Sequence, residues 1–221
     1  MRTIKSRGLL LLTISALFGT PSPSWGQTAY VGASLMGDIV RTTHTDSSFV
    51  DGGEAGGEAV GFALRVGTGL GSNWGVELEY ARPSAISREQ FIYPMFAIQA
   101  GLTPDVVPEI FPLPLPSETR DRNTTLSAVL WANQAVTERV SLVYLGGVAF
   151  NRFSREYGYA FDVLPALFSV SRTVTYSTRP VVGFESWIGL TDNVTLMPGL
   201  RLLGVEGGWS IRPAVGIGWS F

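Results

Sequence analysis

The sequence predicts an all-β chain: an eight-stranded antiparallel transmembrane up-and-down barrel with tight turns at one end and long loops at the other. The first observation is the stretch from Trp209 to Phe221. Every second residue (Trp209, Ile211, Pro213, Val215, Ile217, Trp219, Phe221) is apolar, with aromatics at both ends. The intervening Ser210, Arg212, Ala214, Gly216, Gly218 and Ser220 are small or polar, which suits a crowded interior better than open water. The aromatics are spaced to meet the two interfaces of a bilayer crossed by a tilted strand. The second observation is that this alternation recurs along the chain. The third is that short and long connections alternate between the segments.

Composition agrees. Only 15% of residues are charged, against about a quarter in a typical soluble domain. There are 26 glycines, no cysteine and one histidine, and Lys5 is the only lysine. A basic patch for nucleic acid is therefore excluded. Residues 1–26 read as a cleaved secretory signal peptide. Arg2, Lys5 and Arg7 precede the apolar run Gly8 to Phe18, and Ser24-Trp25-Gly26 supplies small residues at −3 and −1. The apolar run is too short for a membrane helix. Residues 27–221 form the barrel, with 13 arginines against 18 acidic residues.

In chain order, the first strand is Ala29 to Arg41, with Val31, Ala33, Leu35 and Ile39 on one face, and a Gly- and acid-rich loop (Thr42 to Glu58) follows. The second strand, Ala59 to Leu70, turns Val60, Phe62, Leu64 and Val66 outward and Gly61, Ala63, Arg65 and Gly67 inward. After a turn at Gly71-Ser72-Asn73, the third (Trp74 to Arg82) puts Trp74, Val76, Leu78 and Tyr80 outward and Glu77 and Glu79 inward. A proline-rich connection, Pro83 to Arg122, leads to a fourth strand, Asn123 to Asn133, whose faces the pattern leaves unassigned. The fifth is Val140 to Arg152, and Phe153 to Thr175 is a loop. The sixth is Tyr176 to Leu190, with Glu185 inward, and the seventh is Val194 to Leu203. A short loop, 204–208, returns to the terminal strand. Pro198 and Pro213 interrupt the last two strands, nearly opposite each other across this loop, which predicts a local bulge or a non-bonded pair.

The signal, the eight strands and the ending Ile217-Gly218-Trp219-Ser220-Phe221 resemble the small outer-membrane β-barrel family that includes OmpA, OmpX and OmpW. The resemblance implies residence in the bacterial outer membrane after export to the periplasm. It also implies contact with outer-membrane lipid and lipopolysaccharide. Assembly by the outer-membrane insertion machinery would read Trp219 and Phe221 as its signal. Unlike OmpA, the chain shows no periplasmic domain after the barrel.

The inward charges Arg65, Glu77, Glu79, Glu185, Arg201 and Arg212 are candidates for a lumen charge network. Glu77 and Glu79 share a face as acid/base carboxylates do, but opposite charges at similar depth make them structural partners. His44 sits among Thr43, Thr45 and Ser47 in a loop without a triad, and neither a metal site nor a cofactor is indicated. The loop residues Phe91, Tyr93, Phe96, Phe111, Phe161 and Phe168 are apolar enough for a surface-binding patch, or else for a self-packed cap. The expected function is non-enzymatic, structural or surface-binding through the outer loops. A narrow channel for small or hydrophobic solutes is the alternative. A lipid-modifying enzyme and a soluble lipocalin-like carrier fit less well, the carrier because its faces would be reversed.

Overall fold

The computed structural model describes residues 29–42, 56–92, 115–159 and 169–221. These form nine strands: β1 (Ala29–Thr42), β2 (Gly57–Gly69), β3 (Trp74–Pro83), β4 (Ile86–Ile92), β5 (Leu115–Ala135), β6 (Val140–Tyr159), β7 (Ser169–Gly189), β8 (Val194–Val205) and β9 (Gly208–Ser220). All neighbours are antiparallel. β9 pairs with β1, and β3 pairs with β5, so the sheet closes on itself. β3 and β4 both lie along β5, at 125–132 and 115–121 respectively. They are one stave broken at Ser84-Ala85, and the barrel has eight staves. Among the described residues no helix is long and apolar enough to cross a membrane; the crossing is made by strands, whose backbone groups pair around the closed cylinder.

The alternation read from the sequence is the alternation of the walls. Leu35, Val60, Leu64, Leu78, Leu130, Val215 and Ile217 all face outward and are exposed. An apolar belt of this extent is far larger than a soluble monomer shows, and it is a lipid-facing surface. Trp74 and Trp219 edge the belt toward the short-turn end, and Trp209 edges it toward the other end. β5 also resolves: Asp121, Asn123, Thr125, Ser127, Val129, Trp131 and Asn133 face inward, and Leu126 and Leu130 outward.

Parts of two expected loops are strand. Ile86–Ile92 pairs with 115–121 inside the expected connection Pro83 to Arg122, and 153–159 pairs with 169–175 inside the expected loop Phe153 to Thr175. These extensions alternate without an apolar face, because beyond the membrane neither side meets lipid. Their ladders are supplemented by polar side-chain pairs such as Asp121 with Arg155, which leaves no hydrophobic period to read. The last hairpin is tighter than expected: its turn is Glu206-Gly207, with Gly207 at φ 68°, a conformation glycine adopts freely. The segments 1–28, 43–55, 93–114 and 160–168 lie outside the described residues, and with them the signal region, His44 and most of the Gly-rich loop.

The prolines do not produce a bulge. Pro198 pairs with Val215 and Pro213 with Leu200, two positions apart in a continuous β8–β9 ladder. The β7–β8 ladder lapses between Glu185↔Gly199 and Ile188↔Leu196, and the β1–β9 ladder between Met36↔Ala214 and Ile39↔Ile211. Both resume in the same register. Each proline thus turns its missing N–H away from the shared hairpin, toward the neighbouring strand on its far side.

Candidate functional site: layers across the lumen

The interior is stacked in layers. Nearest the short turns is an aromatic layer of Tyr30, Trp131 and Trp187, with Leu145, Val143 and Met197. Trp187 contacts both other rings, at centroid separations of 5.3 Å to Tyr30 and 5.1 Å to Trp131. Two of these rings donate to the next layer: Tyr30 Oη to Glu77 Oε2 at 2.6 Å, and Trp187 Nε1 to Glu185 Oε2 at 3.2 Å.

That next layer is the charged one, with Arg65 on β2, Glu77 and Glu79 on β3, Glu185 on β7 and Arg201 on β8. In the closed order β2 stands opposite β7, and β3 opposite β8. Two sets of ion pairs therefore cross the full diameter. Arg65 Nη1 donates to both oxygens of Glu185, at 2.9 and 2.8 Å. Arg201 Nη2 donates to Glu77 Oε1 at 2.7 Å, and its Nη1 lies 3.0 Å from Glu79 Oε1. Side-by-side contacts complete the cluster: Arg65 to Glu79 at 3.4 Å, and Arg201 to Glu185 at 2.7 Å. Every member is buried, with 1–5% of its surface exposed. Three carboxylates share two guanidiniums, and the phenol and indole supply the additional donors. Burial on this scale holds only because each charge has several partners.

Small residues make the room. Gly199 lies beside Glu185 in the ladder, and a Cβ there would come within 2.4 Å of Glu185 Cγ. Gly183 stands beside Arg201 and Gly32 beside Arg65, where a Cβ would meet the arginine stem at 3.1 and 3.0 Å. The inward glycines leave volume for long charged neighbours.

Arg212 belongs to the next layer. It lies directly opposite Arg201 in the β8–β9 ladder, yet turns to a different carboxylate. Its Nε and Nη2 reach Asp38 Oδ1 and Oδ2 at 3.0 and 3.2 Å, and its Nη1 donates to Thr125 Oγ1 at 2.5 Å across the lumen. Ser210 also bonds Asp38. Farther out, Asp121 accepts from Arg155 Nε at 2.9 Å and from Arg88. Asp38 was not among the inward charges read from the sequence, although it falls on the face of β1 opposite Leu35 and Ile39; Asp121 and Arg155 fell in segments that read as loop. Above Arg212 a small cavity of about 30 Å³ lies among Asp38, Asn123, Asn151 and Phe153.

Among the other sequence candidates, Trp219 and Phe221 are exposed on the lipid-facing side, and the Phe221 amide bonds Ala29 O at 3.1 Å. Phe91 is exposed on β4; Tyr93, Phe96, Phe111, Phe161 and Phe168 lie outside the described residues. No cluster of His, Asp or Glu suited to a metal occurs among the described residues.

No protein-family model matches the chain, and no curated protein matches it. Solved structures do. Ail, the attachment invasion locus protein of Yersinia pestis, crystallised with the heparin analogue sucrose octasulfate, is 13% identical over 88% of this chain and 99% of its own, with a TM-score of 0.53. Neisserial surface protein A is 14% identical over 87% of this chain and 97% of its own, with a TM-score of 0.51. OprG of Pseudomonas aeruginosa is 12% identical over 90% and 99%, with a TM-score of 0.51. At these identities the likeness is one of fold. The chain has the fold of the small eight-stranded outer-membrane β-barrels.

Proposed function

We propose that this chain is a non-enzymatic outer-membrane barrel that acts at its outer end, as a surface-binding protein rather than a channel. The observation that carries the reading is the pair of buried layers. A water-filled path past Arg65, Glu77, Glu79, Glu185 and Arg201 would leave their charged ends wet, and they are buried. The architecture beyond the belt supports the second half of the reading. β5, β6 and β7 run 21, 20 and 21 residues, whereas about 9–11 suffice to span the membrane. With β4 they raise a wall on the order of 25 Å above the belt on one side of the barrel. The apolar segments 93–114 and 160–168 connect these strands in sequence.

The reading is tested on cells displaying the whole chain, by their partition into hexadecane. Cells with the chain are expected to partition more than cells without it. Shortening 93–114 and 160–168 to tight turns is expected to abolish the difference while the barrel still shows its heat-dependent gel shift. Equal partition with and without those segments would remove the apolar surface role.

A further inference from the structure

The lipid-facing wall carries a basic feature that the layers inside do not explain. At the outer edge of the belt, Thr124 on β5 pairs with Arg152 on β6, which pairs with Tyr176 on β7. On the other side of Thr124, Arg82 follows Ala81, the partner of Thr125, and stands beside Phe62 on β2. Arg122 lies two residues up from Thr124, on the same face of β5. Neighbouring strands are about 4.8 Å apart and alternate residues about 7 Å, so three arginines surround one small threonine within reach of a single anion.

Three further observations concern what could sit there. Among the described residues none of the three arginines is ion-paired, and Arg122 Nε is buried without a hydrogen-bond partner. The acids of this wall begin farther out: Glu118 pairs with Arg120 at 2.9 Å, Glu156 pairs with Arg172 at 3.2 Å, and Glu89 stands beside Glu118. Tyr80, Leu126 and Phe150 just below this row, with Thr124, Arg152 and Tyr176 in it, line an open groove of about 400 Å³ facing the lipid. The chain as a whole carries more acids than bases, 18 against 16, so a local excess of guanidinium here is not a by-product of net charge.

We propose that Arg82, Arg122 and Arg152 form a docking site for the phosphate of an anionic outer-leaflet lipid, with the adjoining groove receiving one of its acyl chains. Charge and position fix this occupant. Guanidinium forks match phosphate oxygens bidentately, and their stems lie along apolar surface while their heads reach the headgroup level. A soluble anion would satisfy the arginines but leave the groove unused.

The test is native mass spectrometry of the full-length folded barrel in non-ionic detergent, with bisphosphorylated lipid A, its dephosphorylated form or inorganic phosphate added in separate arms. The chain is expected to retain the phosphorylated lipid, and R82Q/R122Q/R152Q to retain it about tenfold less. R120Q/R172Q, two rows farther out, is expected to behave as the parent. Should the triple variant lack the heat-dependent gel shift, the single R122Q is read instead, with a severalfold loss expected. Equal retention by the arginine variants, or of the dephosphorylated lipid, overturns the site. Displacement of bound lipid A by millimolar inorganic phosphate overturns its assignment to a lipid.

Discussion

Arg65 and Glu185 stand on diametrically opposed staves, and guanidinium meets carboxylate at 2.8 Å in the middle of the lumen. A side chain rooted in one wall is thus held by the opposite wall, at a depth where neither is wet. Removing one partner leaves the other charge buried. Glu185→Ala, which takes the closest carboxylate from Arg65 and one of three from Arg201, is expected to cost about 3–5 kcal/mol in urea unfolding from lipid vesicles followed by the gel shift. A loss below about 1 kcal/mol would mean that water reaches these groups.

The glycines separate packing from backbone effects. Gly199→Ala places a methyl against Glu185 Cγ and Phe184 O, and overpacking of this kind costs about 1–3 kcal/mol. Gly146 faces the lipid, with nothing within 4 Å of a Cβ. Gly146→Ala is expected to lie within about 0.5 kcal/mol of the parent. Equal effects in the same unfolding experiment would show that the inward glycines are not spacers.

The two prolines make a matched contrast. Pro213→Ala restores an N–H where the β1–β9 ladder already lapses, and is expected to be neutral or stabilising by up to about 1 kcal/mol. Val215→Pro removes a donor where Leu35↔Val215 is paired, and is expected to destabilise by about 1–3 kcal/mol. Amide exchange along β1 reads both: slower for the first variant, faster for the second.

Outside the membrane, the Arg120 guanidinium bonded to Glu118 holds that carboxyl below its ordinary value. The favourable interaction is therefore complete above the ordinary carboxylate range and is lost as pH falls through Glu118's lowered value. Carboxyl NMR should show Glu118 titrating higher, back toward the ordinary glutamate range, in Arg120→Gln. An unchanged titration would detach the shift from this pair.

The spanning parts of the fold were legible because lipid outside and a crowded lumen inside impose opposite demands on successive residues. Val60 to Leu70 and Trp209 to Phe221 show both demands in full. The extensions of β4 to β7 were not legible, because no lipid marks their outer face; Asp121 and Arg155 were missed with them. Individual lumen charges were readable from parity, but their partners were not. Arg201 and Arg212 are ladder neighbours and still join different layers, since strand tilt carries opposite staves past each other and selects which carboxylate each arginine meets.

The most direct test of the central claim is planar-bilayer conductance of the refolded chain, after the gel shift has verified a closed barrel. The account predicts silence, and steady steps only when the cross-lumen layer is opened, as in Glu77→Ala. Stable ohmic steps from the unaltered chain would contradict it and make the charged layer the constriction of a pore.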